Sequence, residues 1–548
     1  LKAKLIAGLL LLAASAALGQ ETKTPQISFL NIDWNAAASD LPTQLNTVTA
    51  ERFQNIAASP VPVLLPFDVD AYLRDKAEDR VKNDADGGYQ SGFRFSKFFL
   101  AGPAGYDAAF TVRPPDIPAL SAVHFSADVE VQISGMTLLY DLGDTGIEQK
   151  ATPVALADFP GLRRVYLESH LRYVFTRYGV VYAVSIECYE GPSRGRRLSC
   201  RDADPIAMHF LKALSVVGGT PRPASAAVDA RKIERPDGRS TVFAYYPPGQ
   251  IIPGTGFHGR SGRGDYTVYS QIRFPLAEAP AHTYSQMFMN LHDCNQAGLS
   301  PRTIRRGGAA FRCPPSDKLA EAGPTAGRNL TYPWRDNFCE TRGFFVGQCP
   351  AGIGHQGEDI VPVDCRLSSQ DTDHCERKLH PVVAVHDGAV LRSPGQEGLV
   401  IVVNTQNEHV RFRYLHMNPK AIDAEGLVSG RTVREGEPVG KVGNYNGREG
   451  GTSFHLHVDM QVPTKDGWVL VNPYMTLVSA YERLIGGRGE EIHEEINEAA
   501  IANTGSLPHL TNAAPRRSKI QRGHYKHAAG SKYKKYKFSK HCVRRQGC

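Results

Sequence analysis

The stretch Thr452 to Met460, TSFHLHVDM, decides how this chain is read. Side chains alternate faces along a strand, so residues i and i+2 share a face, and the spacing aims the imidazoles of His455 and His457 at one point. An isolated H-x-H is most simply a polar pair on the solvated face of an antiparallel sheet. Otherwise, two histidines aimed together share a metal, a proton or a substrate. The surrounding sequence chooses between these readings.

From about 350 to 474 the chain is a series of short β runs punctuated by glycine: PVVAVHDGAVLRS, GLVIVVNT, EHVRFRYLHM, EPVGKVGN and SFHLHVDMQV. This spacing predicts mainly antiparallel β structure, a sandwich or a partly closed barrel, with a helix following over Tyr474 to Ile485. Well upstream of the H-L-H stands GHQGEDIVP, with His355 and Asp359 four apart, and Tyr414-Leu415-His416 lies between the two motifs. A zinc site built for hydrolysis needs three nitrogen or oxygen ligands and an open fourth position. One histidine and one carboxylate from the first motif, plus one histidine from the last, fill that need. A further imidazole on the same face is then placed to act on the water or on the reacting carbonyl.

The ordered set resembles the catalytic domain of the lysostaphin/LytM-type zinc endopeptidases, which cut peptide cross-bridges in bacterial peptidoglycan. The resemblance is carried by G-H-x-G-x-D-I at Gly354 to Ile360, V-x-A-x-x-D-G-x-V at Val382 to Val390, Y-x-H at Tyr414 to His416, V-R-E-G-E-P-V-G at Val433 to Gly440, and H-L-H at 455 to 457. It covers less than a quarter of the chain. It implies a LytM-like β sandwich or open barrel with one Zn²⁺ per chain, held by His355, Asp359 and His457. His416 and His455 are then the catalytic, non-ligand pair, and peptidoglycan stem or cross-bridge peptides are the substrate. Some relatives of this type have lost ligands and act as silent activators or binding proteins for other wall hydrolases; all five positions are filled here. The chain departs from the pattern by inserting Val363 to His380. Cys365 and Cys375 are expected to staple that insertion, and His374 and His380 are read as surface residues.

At 548 residues the chain is too long for one core, and two to four units are expected. A composition of 41% hydrophobic and 22% charged residues is ordinary for a globular protein. The first residues, LKAKLIAGLLLLAASAALGQ, read as a secretory signal over 1–19, and no other window is long enough to span a bilayer. The protein is therefore expected to be exported, to the periplasm or cell envelope. The ten cysteines fall as sequence neighbours: Cys188 and Cys200, Cys294 and Cys313, Cys339 and Cys349, Cys365 and Cys375, Cys542 and Cys548. Export implies disulfides, and closing the shortest loops first gives five local bridges, one of many pairings that ten cysteines allow. No C-x-x-C pair supports a thiolate zinc cluster.

The expected order is a mixed α/β domain over 21–217, a linker over 218–227, a β-rich region over 228–320, the peptidase domain over 321–486, and a charged helix with a disordered basic tail over 487–548. Within the first domain, strands are expected at Val61 to Phe67, Gly92 to Phe99, His124 to Ile133 and Val180 to Cys188. Helices are expected at Arg163 to Arg177 and Asp202 to Val217. Although the chain's net charge is +7, Arg516 to Cys548 holds twelve Lys and Arg and no acidic residue. KYKKYKFSKH in this tail suits an anionic envelope polymer. Nucleic acid is set aside because an exported protein rarely meets it. Arg263-Gly264-Asp265, in a glycine-rich loop, is read as a chance tripeptide.

Overall fold

The structure is a computed structural model that describes residues 22–492, except 42–48, 51, 82–87, 114–115, 121–122, 124, 144–150, 168–169, 189–197, 223–232, 237–240, 252–254, 279–280, 284–302, 307–308, 313–333, 363–379 and 453. The signal segment, the basic tail, most of the insertion with His374, and the cysteine pairs 294/313, 365/375 and 542/548 lie outside the described residues.

Leu456–Thr464 runs through an eight-stranded sheet whose order is Ala281–Thr283, Glu358–Pro362, Leu456–Thr464, His409–Leu415, Leu399–Asn404, Gly388–Leu391 and Thr432–Val433, with Gly467–Val471 folded back as a hairpin on Leu456–Thr464. Every pairing in it is antiparallel. One face carries Leu456, Val458, Met460, Phe412, Tyr414 and Ile401, all in a core with Leu477, Val478 and Tyr481 of the helix Tyr474–Ile485. Residues paired directly across an antiparallel ladder share a face. The opposite face therefore carries Asp359 and Leu415 beside His457, Arg413 beside Asp459, and Arg411 beside Gln461.

A second sheet covers much of that opposite face. Its order is Arg94–Gly102, Gly105–Val112, Val129–Met136, Val180–Glu187, His170–Arg177, Arg163–Leu167 and Thr152–Pro153. Its far side packs on the helix Ala203–Lys212 through Ile206, Phe210 and Leu211. Its near side meets the first sheet in two apolar patches, Phe98 and Ala109 against Ala389, Leu391 and Val402, and Met136, Val174, Val181 and Ala183 against Trp468. Between the patches Asp107 is buried. It accepts hydrogen bonds from His409 Nε2, Arg411 Nη2 and Ser134 Oγ, each at 2.7 Å. Arg411 also stacks on Trp468, 4.2 Å from the ring centroid. Burial alone raises a carboxylate pKa, but His409 and Arg411 outweigh it and hold Asp107 well below the usual range.

Three local expectations are corrected. Arg163 to Arg177 is no helix; it is a β-hairpin of Arg163–Leu167 and His170–Arg177. Both faces of the second hairpin strand are covered: Leu171, Tyr173 and Phe175 enter the inner core, and Val174 faces the other sheet. Its apolar residues therefore lose the alternation that marks a half-buried strand, and the run imitates helical spacing. The helix expected to reach Val217 stops at Lys212, and Leu214–Gly218 pairs with Val63–Pro66 instead. Glu490 and Glu491, expected to open a charged helix, end the strand Arg488–Glu491, which runs parallel to Thr241–Tyr245. β structure thus outweighs helix even in the N-terminal part. Two of the proximity pairings are present, Cys188–Cys200 and Cys339–Cys349. Among the described residues no helix is long and apolar enough to cross a membrane.

Candidate metal centre

The G-H-x-G-x-D motif enters the sheet where Glu358–Pro362 pairs with the histidine strand, setting Asp359 directly across from His457. Its second glycine is required by close approach, since a Cβ on Gly357 would stand 2.3 Å from the Val458 carbonyl oxygen. His355, just before the strand, folds back over Asp359. The three donor atoms form a nearly equilateral triangle: His355 Nε2 to His457 Nδ1 is 3.0 Å, His457 Nδ1 to Asp359 Oδ1 is 3.1 Å, and His355 Nε2 to Asp359 Oδ1 is 3.3 Å. Four ligands at about 2.0–2.1 Å around a tetrahedral ion stand roughly 3.3 Å apart, so the triangle has the size of one face of such a site.

The protons point the same way. His355 Nδ1 lies 2.9 Å from the Asn337 carbonyl oxygen, which can only accept, so that nitrogen carries the hydrogen. His457 Nε2 lies 3.3 Å from Asp459 Oδ2, and Asp459 is in turn ion-paired with Arg413. In the neutral rings His355 Nε2 and His457 Nδ1 are then both lone pairs, and both face a carboxylate oxygen. Three acceptors turned on one point repel unless a cation or a shared proton lies among them. Asp359 Oδ2 is buried without a hydrogen-bond partner among the described residues; Arg342 Nη2 stands 3.8 Å from it. The donor set therefore fits a small divalent ion of the zinc type.

Electrostatics vary across the cluster. Burial opposes ionisation of Asp359, but His355 and His455 outweigh it and hold the carboxyl well below its usual range. Burial pushes His355 down. It acts on His457 in the same sense, yet the bonds to Asp359 and Asp459 win and, without an ion, raise that ring to about 9, so a bound cation would take the place of the proton on Nδ1. Burial, followed by the neighbouring His455 and His457, keeps His416 well below the ordinary histidine value.

The other two predicted residues sit beside this set. His455 Nε2 is 3.4 Å from Asp359 Oδ1, and the His455 ring is 4.6 Å from that of His416, centroid to centroid. His416 follows the end of its strand in the left-handed region, with φ 72°, a conformation uncommon for a residue with a side chain. It is held there because Nδ1 lies 2.6 Å from the Tyr445 carbonyl oxygen and its own carbonyl accepts from the Tyr445 N–H. Gly443 allows the approach, since a Cβ there would lie 2.3 Å from the His416 carbonyl oxygen. Gly443→Ala is accordingly expected to cost about 1–3 kcal/mol of overpacking and to displace His416. Denaturant unfolding and turnover of the variant check both effects.

All five predicted residues are thus brought together, and four of them are closed off from solvent: His355 and His457 are 3% exposed, Asp359 and His455 1%. His380, read as a surface residue, is half-buried and stands outside the cluster. Asn337, Asp459 and Tyr445 were not singled out in the sequence. Asp459 was legible in principle, standing two residues after His457 on the same face; Tyr445 acts on His416 through its backbone carbonyl and leaves no mark in residue type, and Asn337 stands in no motif with the residues it touches.

Residues 372–473 match the family described as Peptidase family M23. The matched segment contains His416, His455 and His457 and stops short of His355 and Asp359. Among solved structures, the chain is similar to a lytM protein from Ruminococcus gnavus ATCC 29149 named for glycyl-glycine endopeptidase activity, with 22% identity and a TM-score of 0.18 over 25% of this chain and 51% of that one. The match spans about half of that protein, and a likeness of this quality carries no structural argument. No curated protein matches the chain. Residues 372–473 thus form a segment similar to the peptidases of family M23.

Proposed function

We propose that the protein is a zinc metallopeptidase of the cell envelope that hydrolyses amide bonds in the stem or cross-bridge peptides of peptidoglycan. The observation that carries this reading is the convergence of three lone-pair donors, from His355, Asp359 and His457, with two further imidazoles beside them. Zinc bound there supplies Lewis acidity and lowers the pKa of a water molecule towards about 7.

The chain's own residues do the rest. Asp359 offsets part of the ion's charge, so the centre is less cationic than three histidines would make it. Asp459 and the Asn337 carbonyl fix the tautomers of the two ligand rings. With the His416 Nδ1 hydrogen held by Tyr445, Nε2 is left as the proton-accepting atom, and burial keeps the ring neutral and able to act as a base. His455, next to it, is placed to donate a hydrogen bond to the oxyanion of the reacting carbonyl.

A second reading, a catalytically silent activator of the same fold, draws support from the closure of the ligand side chains against solvent. Purified wall incubated with the protein, with and without a chelator, separates the two. Loss of digestion on chelation and its return with added Zn²⁺ are expected; digestion that survives complete metal removal rejects the mechanism. Mass analysis of the released muropeptides then identifies the bond.

A further inference from the structure

Asn337 lies eighteen positions before His355 and outside the segment that matches the peptidase family. It is completely buried. Among the described residues, the neighbouring strand Ala281–Thr283 pairs with Glu358–Pro362 up to Ile360, where Thr283 is the partner. Among the described residues no backbone neighbour pairs with Asp359 on that side, and the Asn337 side chain meets its peptide groups there. Its Oδ1 accepts from the Asp359 N–H at 2.9 Å and its Nδ2 donates to the Asp359 carbonyl at 3.4 Å, the pair of bonds that a further strand would have supplied. The same residue's carbonyl accepts from His355 Nδ1 at 2.9 Å. One asparagine therefore grips two of the three residues in the donor triangle, Asp359 by its backbone and His355 by its ring.

The turn that presents it is anchored independently. The N–H groups of Asn337 and Phe338 both donate to Glu358 Oε1 at 3.1 Å, and Phe338 N–H donates to Asp336 Oδ1 at 2.7 Å. Asp336 Oδ2 takes Gly249 N–H and Asn472 Nδ2, each at 2.7 Å. Asn337 thus holds the ligands from a fixed support, and movement of its carbonyl would free the His355 ring to rotate or change tautomer.

We infer that Asn337 is a positioning residue for the metal centre: it sets the hydrogen of His355 on Nδ1, turns the Nε2 lone pair inwards, and fixes the backbone of Asp359, so that the donor triangle exists before the ion arrives. The inference rests on the metal-binding part of the proposed function. Its test reads no hydrolysis, so it stands or falls separately from the choice of substrate.

The experiment uses the full chain and Zn²⁺ alone. Affinity is measured by competition with a chromophoric chelator, and the His355 tautomer in the metal-free protein by ¹⁵N NMR with labelled histidine. Asn337→Ala is expected to weaken Zn²⁺ binding by about 10–100-fold, the usual consequence of removing a group that orients a ligand. Asn337→Asp keeps the acceptor for the Asp359 N–H and should bind more tightly than Asn337→Ala. Metal-free wild type should show His355 protonated at Nδ1. Folded Asn337→Ala with wild-type affinity overturns the proposal. Should that variant not fold, the wild-type tautomer decides: a His355 hydrogen found on Nε2 overturns the proposal equally, and one found on Nδ1 upholds it.

Discussion

Replacing His455 by alanine is expected to lower hydrolysis about 10²–10⁴-fold while leaving the metal in place, whereas His457→Ala should lose metal and activity together. The two residues are separated by a single leucine and lie on one face, so the contrast is a sharp test of the assignment. It follows from where each ring's nitrogens point. His457 Nδ1 stands 3.0 Å from His355 Nε2 and 3.1 Å from Asp359 Oδ1, and its other nitrogen is engaged by Asp459. His455 approaches Asp359 Oδ1 at 3.4 Å but is not part of the mutually close donor set, and its ring lies against His416. His416→Ala should behave like His455→Ala. Metal content by atomic absorption and turnover on purified wall are the two measurements. Loss of metal from His455→Ala, with retention by His457→Ala, would reverse the roles.

The second large effect concerns the contact between the two sheets. Asp107→Ala is expected to destabilise the protein by about 3–5 kcal/mol, because it leaves a buried guanidinium and a buried imidazole without their shared anion. Arg411 retains Ser134, Gln132 and the Trp468 ring, and none of these carries a compensating charge. The sign with pH follows from the direction of the shift. The Asp107 pKa is depressed in the folded state, so its contribution is fully present above the unfolded value of about 3.9 and is lost as pH falls towards the folded value. Wild type should therefore lose stability on acidification below about pH 4, and this component should be missing in Asp107→Ala. Urea denaturation at several pH values measures both. A change under about 1 kcal/mol at pH 7 would mean that Trp468 and the neutral partners suffice.

The contact has a functional side. His457, Asp459, Arg413, Arg411 and Gln461 share one face of the histidine strand and its neighbour, and the second sheet covers that face beyond the metal centre. Arg172 of the second sheet reaches Gln461 Oε1 at 3.1 Å. The N-terminal part therefore packs on the same face of the strand that carries His457, reaching it at Gln461, four residues further along.

Much of the site was legible because its chemistry is local in sequence. A two-residue spacing on a strand places two rings on one face whatever the rest of the chain does, and G-H-x-G-x-D keeps a histidine and a carboxylate within a single turn of chain. The helix Tyr474–Ile485 was legible for the same reason, its apolar period being set by one core. Tertiary structure decided what depended on a second surface. Arg163 to Arg177 became a hairpin because both faces of His170–Arg177 are covered, which removed the alternation a sequence reader relies on. Asn337 acquired its place because its side chain meets the strand edge at Asp359, and Asp107 because two sheets bring it against His409 and Arg411. Residue type and spacing could specify which side chains converge on one point. Only the packed chain could specify which backbone carbonyl sets their protons, since every residue carries the same carbonyl and its position alone gives it a role.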